Sequence, residues 1–459
     1  MLLNSLDFLI FFPIVTMLLF IMPKKLRVLW MSLVSLTFFA WWDVRNLAFL
    51  AFTVLSTYGC AIWLEKLNDN EKSGAKRKLL LAITVLLNVG IIGLTKYLGI
   101  LLAPIGVSFY TLQALGYLFD VYRKRISPEK NILKYSLFVS FFLVIESGPI
   151  ERSGHLLKQI QNAESIAFWN FERVREGFLR IIWGVFLKIV LADRMAILVE
   201  RVYGNYEGYG ALGIILASVM FSFQIYCDFS GYSHMAIGAA KVMGFEITEN
   251  FRQPYLATSI KEFWRCWHIS LTSWLTDYIY IPLGGNRKGT IRKYFNILIV
   301  FLVSGIWHGR GLNFLAWGLL HGIYQIVGDW KNRHISVHLP KPLAVVVNFL
   351  MVNFAWIFFA TSGLGTSIKT IAQIFRAGAL AGVKELGLVF GDYVIIGIGL
   401  ILLLIIGIAR SKGVKVTDWL FDRFFLIRWI AYIGIICAVV MVGIYGVGYD
   451  TSNFMYVQF

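Results

Sequence analysis

Residues 301–322 read FLVSGIWHGRGLNFLAWGLLHG, a run apolar enough for lipid that nevertheless carries two histidines and an arginine. A polar group at membrane depth is costly and by default marks a functional site. In one unbroken helix His308 and His321 would lie roughly 220° apart around the axis and could not share a site. Gly309 and Gly311 predict a break just after His308. That puts the imidazole at a helix end or re-entrant turn, where it could face a cavity and take a proton near neutral pH. His321 continues toward Gln325 and reads as a packed, hydrogen-bonded core residue.

The surrounding chain explains the apolar background. Of 459 residues 58% are hydrophobic and 16% aromatic, and the mean hydropathy is +0.69. A soluble core of this length does not need so much apolar sequence. Candidate spans are Leu6–Met22, Val28–Trp42, Leu47–Trp63, Leu79–Thr95, Phe178–Leu191, Gly210–Tyr226, Phe314–Val327, Leu343–Phe359, Val394–Ile408 and Trp429–Tyr445. The shorter ones are candidates for tilted, buried or re-entrant segments. The expected fold class is therefore an all-α polytopic membrane protein.

The formal charge is +17, but the bases sit in short loops between apolar runs, a topological bias rather than a nucleic-acid surface. Lys24, Lys25 and Arg27 follow the first run and Lys72, Lys76, Arg77 and Lys78 the third, which places the N-terminus outside. Arg123, Lys124 and Arg125, then Arg410, Lys412 and Lys415, mark further cytoplasmic loops. The base-free tail GYDTSNFMYVQF is expected outside as well. No basic stretch precedes the first run and no small-residue cleavage site follows it, so it does not read as a cleavable signal. Cys60, Cys227, Cys266 and Cys437 are scattered without metal or disulfide spacing and read as small buried hydrophobes.

Three zones follow: plain helices over 1–95, a core over 96–330 and plain spans with a short tail over 331–459. In the core, Gly, Pro and charges interrupt the apolar sequence, as in APIGVSFYTLQALGYLFDVYR, SFFLVIESGPIER and CDFSGYSHMAIG. Broken helices at membrane depth are tolerated where they are buried in protein or line a wet cavity, so function is expected in this zone.

Within it, TSIKEFWRCWHISLTSWLTDYIY (258–280) opens on Ser259 and Glu262, a capping-box spacing. Continued as one helix, it would align Lys261, Arg265, His268 and Thr272 in one stripe, with Phe263, Trp264, Trp267, Leu271 and Trp274 over much of the rest. Such a helix could lie in the interface or turn its stripe to an internal polar cavity. The next loop, IPLGGNRKG, could hold phosphates through backbone amides near Gly284 and Gly285 with Arg287 and Lys288, or be merely topological. No histidine has an aspartate five positions on, and there is no G-x-S-x-G, P-loop or HExxH. An intramembrane histidine acting on a bound substrate without a metal remains.

These stretches resemble the membrane-bound O-acyltransferases, in particular the bacterial branch that acylates cell-surface polymers. The resemblance rests on PIGVSFYTLQALGYLFDVYR (104–123), SGPIER (147–152), DFSGYSHMAIG (228–238), ENFRQPYLATSIKEFWRCWHISLTSWLTDYIYIPLGGNR (249–287) and SGIWHG (304–309). The terminal FMYVQF is also similar to the family's aromatic ending. It implies a bowl-like helical bundle with broken helices around a transmembrane tunnel. The family's near-invariant histidine matches His308 and its second functional histidine His268. Cys266 stands where relatives carry a second arginine, so a donor contact is missing or replaced there.

The implied reaction moves an acetyl group from acetyl-CoA or an acyl carrier protein thioester, a substrate rather than a resident cofactor, to a cell-surface polysaccharide. An extracytoplasmic SGNH-type O-acetyltransferase is the implied partner and the bacterial cytoplasmic membrane the implied location. His308 is the expected general base, and His268 would polarise the thioester carbonyl or orient His308. Lys261, Arg265, Trp264, Trp307 and Arg287 are the expected substrate contacts, with Asp277 and Asn286 as orienting groups. D-alanyl transfer from a carrier protein to teichoic acid is the alternative chemistry. A transporter that uses the broken helices as a path is the alternative class.

Overall fold

The computed structural model describes residues 1–41, 43–67, 73–99, 104, 106–145, 148–167, 170–336, 339–376 and 378–445. Glu146, Ser147 and the 448–459 tail lie outside them. The described residues form helices and no strand. Among the described residues, seven helices are long and apolar enough to cross a membrane: Asn46–Lys66, Gly74–Tyr97, Ala211–Met243, Thr290–His308, Lys341–Ala360, Phe390–Ser411 and Phe425–Val442. Six cover spans expected from sequence. The seventh, Thr290–His308, is not among the expected spans: it begins TIRKY and ends at a histidine, so charged and polar ends mask the apolar run between them.

Two interruptions expected from sequence are absent. CDFSGYSHMAIG lies inside the unbroken 33-residue helix Ala211–Met243, and VSFYTLQALGYLFDVY is one helix, Val107–Tyr122. The glycines of the first stretch serve close approach. A Cβ on Gly238 would meet the Gly177 carbonyl at 2.6 Å, and one on Gly231 the Gly184 carbonyl at 2.8 Å. The break in SFFLVIESGPIER is real, since its helix stops at Ser140. Arg27, read as a loop charge, is buried and donates from Nη1 to the Ile166 carbonyl at 2.7 Å. Cys437 is exposed, unlike the buried role expected for it.

The chain forms two compact units. One holds Met1–Ile181 and Tyr232–Glu249 around Val107–Tyr122, whose Tyr110 and Tyr117 are fully buried along with Tyr135, Phe138, Phe141 and Phe142. Gln113 serves both sides of the break after Ser140: its Nε2 donates to the Phe138 carbonyl and its Oε1 accepts from Glu151 N at 3.0 Å. Buried irregular backbone requires partners of this kind. The buried Glu151 carboxylate takes Thr248 N at 2.5 Å and His155 Nδ1 at 2.7 Å. That hydrogen bond holds the His155 imidazole above its ordinary range.

The other unit holds Ile182–Gly231 and the chain from Asn250 onward. In the π-helical turn Phe186–Ala192, buried Lys188 places Nζ 2.7 Å from both Asp193 Oδ1 and Asp228 Oδ1. Helices Thr290–His308 and Leu312–His334 form a hairpin in close contact at two glycines. A Cβ on Gly305 would run into the Phe314 carbonyl, and one on Gly318 into the Phe301 carbonyl. Gly318→Val is expected to cost about 1–3 kcal/mol through this overlap. A thermal midpoint in detergent equal to wild type would show that the hairpin relaxes freely.

Candidate active site

His308 is the last residue of Thr290–His308; Gly309 is extended (φ −168°, ψ 168°), and helix resumes at Leu312. The break falls where the sequence predicts it, for a different reason. Any residue adopts the Gly309 backbone, but a Cβ there would strike the Phe314 ring. The His308 ring is buried among Trp307, Trp317 and Phe359, with centroids 4.9, 5.1 and 5.2 Å away. Asn313 fixes this wall. Its Nδ2 donates to the carbonyls of Phe358 and Thr361, both at 3.0 Å, at the C-terminal end of helix Lys341–Ala360. A helix end leaves such carbonyls without intrahelical partners.

His268 also sits at a break. The single helix expected over this segment is two short ones, Ile260–Cys266 and Ile269–Leu275, and His268 between them is left-handed (φ 44°, ψ 54°). Such a conformation is uncommon for a residue with a Cβ and recurs at functional sites. It destroys the predicted stripe: Lys261 and Arg265 are exposed, whereas His268 is buried. Ser259 caps the first helix as expected, but Glu262 reaches Thr258 N at 2.8 Å. The His268 ring lies 4.7 Å from Phe229, nearly perpendicular, and 6.1 Å from Trp307. Trp307 thus touches both imidazoles.

Other expected contacts fall elsewhere. Trp264 is buried and donates from Nε1 to Nδ1 of His321 at 3.3 Å. His321 is fully buried with Phe263 and Phe301 stacked near it, the core residue the sequence indicates. Asp277 is half-buried in the π-helical turn Thr276–Tyr280, and Asn286 and Arg287 are exposed in the following loop. The amides proposed for phosphate are already committed: Gly284 N donates to Ile281 O at 3.0 Å and Gly285 N to Tyr280 O at 2.9 Å. The structure therefore groups His268, Trp307 and His308 and leaves Lys261, Arg265, Asn286 and Arg287 on exposed surface. The sequence reading missed Asn250 and Asn313. Their one signal was an amide set among aromatic residues, in ENFRQPY and GLNFLAWG.

The seven membrane-length helices among the described residues make this a multi-pass membrane protein, and in it two buried histidines meet one tryptophan at helix breaks. Residues 8–366 match MBOAT, the membrane-bound O-acyltransferase family. The chain belongs to this family and is an acyltransferase. It is similar to a probable alginate O-acetylase of Pseudomonas fluorescens, 34% identical over 80% of this chain and 74% of the relative. To a peptidoglycan O-acetyltransferase of Helicobacter pylori it is 33% identical over 75% and 72%. A teichoic acid D-alanyltransferase of Bacillus subtilis is 25% identical over 57% of this chain and 69% of the relative.

Proposed function

We propose that the protein transfers an acetyl group from a cytoplasmic thioester, acetyl-CoA or an acyl carrier protein, toward O-acetylation of a cell-surface polysaccharide. The observation that carries this reading is the convergence of His308 and His268 on Trp307 inside an aromatic wall. His308 takes the proton of the acceptor hydroxyl as its oxygen attacks the thioester carbonyl. A C–O bond forms, the C–S bond breaks, and the imidazolium returns the proton to the thiolate. His268 supports that proton transfer. Aromatic burial keeps competing water from the thioester.

Exposed Lys261 and Arg265, with Arg287 on the neighbouring loop, supply positive charge for the donor's phosphates. Acetyl is favoured over D-alanyl because the O-acetylating relatives are more similar over more of the chain. An extracytoplasmic SGNH-type transferase completes delivery from the bacterial cytoplasmic membrane, with both termini outside.

Proteoliposomes offered radiolabelled acetyl-CoA, acetyl-carrier protein or D-alanyl-carrier protein test the donor. Release of thiol with acetyl appearing on a hydroxyl acceptor is the expected result. Consumption of the D-alanyl thioester alone would overturn the acetyl assignment.

A further inference from the structure

Asn250 is fully buried, and three polar atoms of residues 268 and 270 meet at its Oδ1. Ser270 N lies at 3.2 Å, Ser270 Oγ at 2.9 Å and His268 Nδ1 at 3.2 Å. The backbone adds two bonds across the same place: Ile269 N donates to Asn250 O at 3.0 Å, and Arg252 N to Cys266 O at 2.9 Å. Residues 250–252 therefore clip both sides of the break that carries His268.

The backbone N–H of Ser270 sets the orientation of the side-chain amide. A backbone N–H can only donate, so the atom facing Ser270 N must be oxygen. As oriented, Oδ1 serves the buried Ser270 N–H and Nδ2 is left without a partner among the described residues; reversal would set Nδ2 against that N–H and strand the backbone donor instead, with the two N–H groups opposed. With oxygen fixed there, the imidazole nitrogen 3.2 Å away has to carry hydrogen, because an acceptor does not face a lone pair. A neutral imidazole has one N–H, so Nε2 holds the lone pair.

We propose that Asn250 is a positioning residue that locks His268 as the Nδ1–H tautomer, so that Nε2 accepts a proton and does not donate to the thioester carbonyl. The proposal rests on the assignment of His268 to the transfer site. It selects between the two roles open to that residue. The proton that Nε2 accepts is the one His308 draws from the acceptor hydroxyl, relayed on its way to the thiolate, and the Nδ1–H bond to Asn250 stays intact throughout, so the cation forms without rearrangement of its support.

The tautomer can be read directly by 15N NMR of histidine-labelled protein in proteoliposomes at about pH 8, where a neutral imidazole dominates. The His268 signals are those lost in His268→Gln. A protonated Nδ1 with an unprotonated Nε2 is expected; the reverse overturns the proposal. This measurement uses wild-type protein and stands whether or not variants fold.

Kinetics supply the second readout. Asn250→Leu is expected to lower kcat about 10- to 100-fold, the scale for losing an outer partner that orients a functional histidine. The donor KM should move by less than about twofold, since the defect lies in the transition state. Asn250→Asp keeps the acceptor oxygen and should recover most of that loss at high pH. Its carboxylate favours the imidazolium, so the acid limb of its pH–rate profile should rise by about one unit. An unmoved limb in active Asn250→Asp protein would mean that Asn250 only ties the loop, and would end the proposal. Full transfer by His268→Gln would instead remove His268 from the site and leave the tautomer standing.

Discussion

Alanine in place of His308 is expected to lower acyl transfer about 10²- to 10⁴-fold, the range a positioned general base contributes. The ring is enclosed by Trp307, Trp317 and Phe359 and cannot be replaced from another element without movement in a tightly packed hairpin. Truncation also leaves a void, so the comparison should include His308→Gln, which nearly fills the volume and cannot carry a proton at neutral pH. Both variants should lose kcat while donor binding, measured by thioester protection or titration, persists. Transfer within about threefold of wild type in either variant, at matched membrane abundance, would remove His308 from the chemistry.

Lys188→Met carries the largest expected effect on folding. The ammonium is buried between Asp193 and Asp228, 2.7 Å from each. Removing one partner of a buried ion pair costs about 3–5 kcal/mol, because the charges left behind stay desolvated. Here the loss falls on two carboxylates at once, inside a π-helical turn. The variant should be depleted from membranes or melt well below wild type. Asp228→Asn added to Lys188→Met removes one of the stranded charges and should recover part of the loss. Equal stability of wild type and Lys188→Met would show that this group of charges contributes nothing to holding the turn.

How much of this was legible in sequence depended on range. Apolar runs marked nearly every long helix, since burial in lipid needs only composition and length. The break after His308 was visible because glycines punctuate the run, although their role is contact with Phe314 rather than backbone freedom. Periodicity failed at residues 258–275, where a left-handed His268 splits what looks like one amphipathic helix. Its side-chain partner there, Asn250, lies 18 residues away along the chain, so no local pattern marks the break. The glycines of DFSGYSHMAIG misled in the opposite direction. They read as interruption, yet they permit a neighbouring backbone to approach an intact helix. Asn313 escaped notice because its partners, Phe358 and Thr361, lie a full helix further on.

The grip of Asn313 on Phe358 and Thr361 also orders events during synthesis. His268 is seated by residues 250–252 and 270, all of which precede or closely follow it on the ribosome. His308 is not, because part of its wall is Phe359. A nascent chain that has delivered both histidines to the membrane therefore still lacks one side of the chamber. The chamber around the second imidazole is complete only with helix Lys341–Ala360, made more than 30 residues after His308.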